Sequence, residues 1–245
     1  MTFLKKQFAN VNTPSPRGGF GVGVILFMLL TLFVSCTEDE QEYDPYYDWQ
    51  VRNETWFRQI ADSARTAIAE ARAQYGDEWE NYCQWRMVKR LDQSKDYNTG
   101  RVDDSICVRM ISRGAGSVEA GWSDTVRISY RGWMMPTVYK DYDAEGQLVD
   151  RLRQEVFDQS YYGKFDTETA APVLASVSSF IVGYYTALQY MVEGDDWMVY
   201  IPYRLGYGES DHGTIPAYST LQFRIHMAAV YPCNTGVPAW KARRR

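Results

Sequence analysis

The sequence predicts an α+β domain built on a mostly antiparallel β-sheet, preceded by a helical extension. Three observations carry this. Side chains alternate with a two-residue period over short stretches at 105–111, 126–130, 197–201 and 221–227, the pattern of half-buried strands. A short stripe from Gly183 to Met191 puts Tyr184, Leu188 and Met191 on one side of a helix. A longer stripe, Trp56, Phe57, Ile60, Ala64, Ile68, Ala71 and Tyr75, recurs at three- and four-residue spacing and marks a helix over 53–75.

At the start of the chain, Lys5, Lys6 and Arg17 precede Phe20 to Val34, an apolar run of 15 residues and too short for a comfortable membrane span. It ends in Phe33-Val34-Ser35-Cys36, which resembles a bacterial lipoprotein cleavage site. That resemblance implies a signal peptide over 1–35 and a lipidated Cys36 as the first mature residue. The chain is then anchored in the cell envelope. Thr37 after the cysteine points to the outer membrane, and the facing side, periplasm or surface, stays open. Thr37 to Tyr47 is acidic and lacks periodicity, so 36–52 reads as a tether.

The helix over 53–75 has Asn53 as its expected N-cap and Gly76 as its stop. Its stripe packs on the main domain rather than on a second copy, because a single helix of this length makes a small dimer seam. Gln84 to Leu91 reads as extended and Asp96 to Gly100 as a turn, giving a helical extension over 53–104. On the first strand of the main domain, Ile106, Val108 and Met110 share one face and Cys107, Arg109 and Ile111 the other. A glycine-rich break follows at Arg113-Gly114-Ala115-Gly116. The main domain runs over 105–232, and 233–245 is a basic tail ending in Lys241-Ala242-Arg243-Arg244-Arg245.

The formal net charge is −5. Without residues 1–35 the balance is 23 Lys+Arg against 31 Asp+Glu, which argues against a nucleic-acid partner. Cys83, Cys107 and Cys233 accompany Cys36. An odd number leaves at least one thiol free or intermolecular, and which two might pair stays open. Their spacing does not fit a zinc site. The two histidines, His212 and His226, form no ligand pair, so neither a metal nor another cofactor is expected.

The last 90 positions hold a spaced series of aromatic and aliphatic residues around turns, with Asp158 and Asp195 as its acidic members. No nucleophile–base pair accompanies it. Such a composition suits a small apolar bowl with a few polar handles. The landmarks run in order: Val126 to Gly132, Phe157-Asp158-Gln159-Ser160, Phe180-Ile181-Val182-Gly183-Tyr184, Met191 to Asp195, Ile201-Pro202 to Tyr207-Gly208, and Ile215-Pro216 to Phe223. Taken together, residues from about Ser105 to Tyr231 resemble the FKBP-type peptidyl-prolyl cis-trans isomerases. The resemblance implies a twisted antiparallel sheet wrapped around one short helix, with a pocket between them.

Carried over by position, the resemblance places Tyr130, Phe157, Phe180, Tyr184, Ile215 and Phe223 around the substrate. It assigns catalytic roles to Asp158, Tyr207 and Ile181. Asp158 accepts a hydrogen bond from Tyr130, while the Ile181 N–H and the Tyr207 hydroxyl donate to carbonyls flanking the proline. Tyr184 stands where the family often has a tryptophan floor and brings a hydroxyl that needs a partner. Phe165 or Ala171 would supply a further wall, and His212 matches a rim position. A charged insertion, about Trp133 to Val156, sits near the rim with Tyr139 and Tyr142. The implied partners are proline-containing polypeptide clients and the membrane; the resemblance extends to macrolide-type ligands. The implied function is isomerisation of X–Pro bonds in envelope proteins. The alternative is a catalytically weak binding module or chaperone that captures proline-containing or unfolded segments.

Overall fold

The computed structural model describes residues 44–89 and 100–240. The expected signal peptide with Cys36, most of the turn over 96–100, and Lys241 to Arg245 lie outside the described residues.

Helix α1 spans Trp49–Tyr75, so it begins four residues before the expected start. The expected cap, Asn53, is a buried anchor instead. Its Nδ2 donates to the Trp49 carbonyl (2.8 Å), and its Oδ1 accepts from the Thr220 N–H (2.8 Å). Trp49 is buried as well, and its indole N–H donates to Ser219 Oγ at 2.9 Å. These tertiary bonds extend the helix into the predicted tether, which cannot reach residue 52. The helix stops as expected at Gly76, whose positive φ of 57° lets its N–H return to the Arg72 carbonyl.

A short helix α2, Trp79–Tyr82, leads into β1, Trp85–Lys89. β1 pairs antiparallel with β2, Ser105–Ser112, so the segment before residue 105 supplies a strand of the sheet as well as helices. A domain boundary at 104/105 therefore cuts a hydrogen-bonded ladder. The remaining elements are β3 (Thr125–Met134), β4 (Thr137–Tyr142), β5 (Leu148–Arg153), β6 (Val156–Gln159), β7 (Val173–Ser176), α3 (Val182–Leu188), β8 (Asp196–Ile201) and β9 (Leu221–Tyr231). The main sheet has the order β1-β2-β8-β9-β3-β6, with β7 also pairing β3, and its ladders are antiparallel. The charged insertion folds as a separate β4–β5 ladder.

The two faces of the sheet are covered by different helices. On one face, Tyr184, Leu188 and Met191 bury themselves against Ile106, Val108, Ile128, Val199, Ile201, Ile225 and Met227. Gly183 lets α3 approach this closely, since a Cβ there would lie 2.3 Å from Ile201 Cγ2. On the opposite face, Phe57 and Ala61 of α1 pack with Cys107 against Trp85, Met87 and Tyr200. This is the intrachain packing expected of the helical stripe. It also explains why Cys107, on the alternate face of β2, is buried; burial pushes its thiol up to about 12. Cys83, Cys107 and Cys233 are all free thiols. Among the described residues no helix is long and apolar enough to cross a membrane, and no cluster of three ligands could hold a metal ion.

Candidate functional site

Two central strands and the start of α3 build the site. β3 carries Tyr130 and Gly132, and β9 carries Phe223 directly opposite Gly132. On the other side of β3, Gly132 also faces Asp158 of β6, with Phe157 beside it. Glycine is required at 132, because a Cβ would lie 2.6 Å from Phe223 Cε1 and 2.7 Å from Phe157 Cζ. The rings of Phe157 and Phe223 meet over this gap, perpendicular at 5.4 Å.

Phe223 in turn meets Tyr184 edge-to-face at 4.9 Å, and Tyr130 meets Tyr184 in the same manner at 6.2 Å. Phe180 stacks on Tyr184 with ring centroids 4.4 Å apart and planes 17° apart. Ile181, Ile215 and Tyr207 pack against the same core cluster. The predicted pocket residues therefore converge. They form a closed aromatic cluster more than an open bowl, since Tyr184, Phe223 and Ile215 are only 2%, 4% and 4% exposed. A crevice of about 930 Å³ lies elsewhere, between the second half of α1, β1 and the end of β2.

The polar groups sit at the edge of the cluster. The Tyr130 hydroxyl donates to Asp158 Oδ2 at 2.8 Å, and Asp158 is exposed. Burial, then the Asp158 hydrogen bond, raises the Tyr130 phenol above its ordinary value of 10.0. Burial and the Asp158 charge raise Tyr207 as well, which places Asp158 within electrostatic reach of both phenols. Ser160, just past the end of β6, fixes Tyr130. Its hydroxyl accepts from the Tyr130 N–H at 2.8 Å, and its own N–H donates to the Tyr130 carbonyl at 2.8 Å. The sequence reading noted Ser160 and Gly132 only as landmarks, and their structural roles appear once the strands are paired.

Ile181 is the N-cap of α3, and its carbonyl accepts from the Tyr184 and Tyr185 N–H groups. Its own N–H and the Tyr207 hydroxyl are engaged by no described group. Tyr207 follows the turn at Tyr203–Leu205, and its ring lies flat on His212, 4.0 Å away. His212 and Ile215 exchange both backbone hydrogen bonds, closing the loop between β8 and β9. Tyr184 Oη is buried and finds no partner among the described residues, and burial raises its phenol well above the ordinary value.

Two expectations fail at this level. Asp195 is not a polar handle of the pocket. It is a buried structural residue whose carboxylate accepts from the Gly114 and Val192 N–H groups, both at 2.8 Å. Phe165 is not a pocket wall, because it packs on Tyr161, His226 and Arg224, on the sheet face opposite Phe223. Ala171 is exposed.

The family of FKBP-type peptidyl-prolyl cis-trans isomerases matches residues 116–228. A macrophage infectivity potentiator of Trypanosoma cruzi is 30% identical over 179 residues, covering 71% of this chain and 78% of that protein. An FKBP-type 22 kDa peptidyl-prolyl cis-trans isomerase of Escherichia coli is 29% identical over 145 residues, 58% of this chain and 59% of its own. An outer membrane protein MIP of Legionella longbeachae is 35% identical over 124 residues, with 50% and 42% covered. The chain thus spans about half the length of the latter two. Among solved structures, a peptidyl-prolyl cis-trans isomerase from Pseudomonas syringae pv. tomato aligns over 71% of this chain and 95% of its own, at 22% identity and a TM-score of 0.39. FkpA from Escherichia coli aligns over 86% and 79%, at 22% identity and a TM-score of 0.40. The ordered landmarks and the match across the site-bearing strands agree: the chain belongs to the FKBP-type peptidyl-prolyl cis-trans isomerase family.

Proposed function

We propose that the aromatic cluster between β3, β6, β9 and α3 isomerises X–Pro bonds of cell-envelope proteins, on a chain anchored through lipidated Cys36. The observation that carries this reading is the Tyr130–Asp158 pair at the edge of an apolar aromatic cluster.

The chemistry needs no more than that. Amide resonance sets a rotation barrier of roughly 18–20 kcal/mol. It also places negative charge on the carbonyl oxygen, which water stabilises. The twisted amide has lost much of that polarity, so transfer out of water costs it less than the planar form. A dry pocket complementary to the twisted form therefore lowers the barrier. Phe157, Tyr184, Ile215 and Phe223 would hold the pyrrolidine ring, with Phe180 beside them. The free Ile181 N–H and Tyr207 hydroxyl would donate to flanking carbonyls. Asp158, held by Tyr130, would set the field beside the rotating carbonyl. Macrolide-type ligands would compete for the same cluster. Placement in the envelope draws support from the likeness to the Legionella outer membrane protein.

A protease-coupled assay on an X–Pro tetrapeptide with the whole chain tests this. We expect acceleration over the uncatalysed rate, removed by Tyr207→Phe combined with Phe223→Ala. No acceleration overturns the isomerase reading.

A second reading, client capture with weak turnover, is favoured by one observation. The β4–β5 hairpin, continuous with the strands that carry Tyr130 and Asp158, exposes Tyr142, Leu148 and Leu152 to water. Retained binding of an unfolded protein without turnover would select that reading.

A further inference from the structure

Tyr184 forms the expected floor of the pocket, yet no substrate could rest on it as it stands. Only 2% of the residue is exposed. The ring of Phe180 lies over one of its faces at 4.4 Å and 17°. Phe180 is half-buried and keeps contact with solvent, whereas Phe223, the other close ring, is buried. The face that Phe180 covers is therefore closed to an incoming proline ring.

The backbone setting of this ring differs from that of its neighbours. Tyr130, Phe157 and Phe223 stand on paired strands. Phe180 occupies an extended link (φ −95°, ψ 163°) between the 3-10 turn Val177–Ser179 and the N-cap of α3. Its backbone belongs to no ladder or helix, and its ring packs half-buried on the edge of the core cluster. A single aromatic stack is also weak enough to open thermally. A second observation marks the closed arrangement as incomplete: Tyr184 Oη is buried and has no hydrogen-bond partner among the described residues. Buried polar atoms in native proteins are rarely left so.

We propose that Phe180 is the admission residue of the pocket: its ring closes the Tyr184 floor in the free protein and swings aside when an X–Pro segment seats. This rests on the prolyl-isomerase reading of the same cluster. Phe180 then governs how much of the protein is competent to bind. Apparent affinity falls in proportion to the closed fraction, while the rate of the bound complex is unaffected. The ring also discriminates by size, since a segment must supply enough contact to displace it.

The test reverses the sign expected of an ordinary wall residue. Phe180→Ala is compared with the wild type on an Ala-Leu-Pro-Phe anilide substrate, with kcat and KM separated. Opening the floor should lower KM about 2- to 10-fold, the equivalent of one lost stack, with kcat nearly unchanged. A raised KM or a lowered kcat overturns the proposal and makes Phe180 a plain contact. Phe180→Leu, which keeps apolar bulk without a flat ring, guards against misfolding and should shift KM in the same direction. The two readings fail separately. A wild type without turnover defeats the isomerase reading. The dissociation constant of the same peptide, measured by calorimetry for wild type and Phe180→Ala, then still decides the admission role, with tighter binding supporting it and weaker or unchanged binding overturning it.

Discussion

The Tyr130 hydroxyl donates a hydrogen bond to Asp158 Oδ2 across 2.8 Å, from one strand to its neighbour, at the edge of a cluster otherwise made of rings. The carboxylate is exposed, so the bond contributes little to holding the strands together. Asp158→Ala should lower kcat/KM by about 10- to 100-fold, the range of one lost hydrogen bond to a charged group. Stability should fall by less than about 1 kcal/mol. Parallel urea melts and kinetics check this, and equal losses in both would make Asp158 a structural residue.

Gly132 separates two rings that would otherwise collide with a side chain. Gly132→Ala should cost about 1–3 kcal/mol, the usual range for overpacking. Activity should drop as Phe157 and Phe223 move apart. An unchanged denaturation midpoint would contradict the contact distances.

Asn53 joins α1 to the segment before β9. Asn53→Ala leaves the buried Thr220 N–H without its acceptor and should cost about 1–3 kcal/mol. Chemical denaturation measures it. A neutral substitution would show that the helix N-terminus docks without this bond.

The pH dependence follows from two shifts with different consequences. Burial lowers the His226 imidazole below its ordinary 6.5, against the opposing pull of Asp196 and Asp195. The unfolded chain therefore binds its proton more readily, so the stability from neutral His226 is present above about pH 6.5 and is lost as pH falls through the depressed folded value. His226→Gln should flatten the stability profile between pH 7 and 5. Tyr130 and Tyr207 are both raised above 10.0, so activity should not decline through their ionisation as pH rises from 7 to 9. Loss of kcat/KM in that range would contradict their placement.

Lipid anchoring is tested apart from the fold. Cys36→Ala should release the chain from the membrane fraction of expressing cells. Persistent fractionation with membranes would refute a lipid anchor at that residue.

Much of the site was legible in the sequence because its residues lie in short motifs whose order survives whatever happens between them. The pairs Phe157-Asp158 and Phe180-Ile181 each combine a ring or wall with a polar contact, and such adjacency can be read without coordinates. The helix over 53–75 was legible from its period. Its start was not, because Asn53 is a good cap by local chemistry and became an anchor only through Thr220, 167 positions away. Asp195 failed for the same reason, since its acceptors' partner Gly114 is distant in sequence and invisible to spacing. Phe165 was misplaced because it lies in the irregular segment between β6 and β7, where no periodicity in the sequence tells which face of the sheet its ring meets. The closure of the floor by Phe180 depends on a side-chain rotation, which no pattern of residue types records.

The pairing of β1 with β2 has a practical corollary. A fragment cut at Ser105 would leave a bare row of backbone donors and acceptors along β2 and put Cys107 and Tyr200 in contact with water. Such a piece would stick to itself before it could fold. A version of this chain that keeps the β1–β2 ladder and the cover over Cys107 begins upstream of Trp49, so the helical extension is joined structurally to the sheet it precedes.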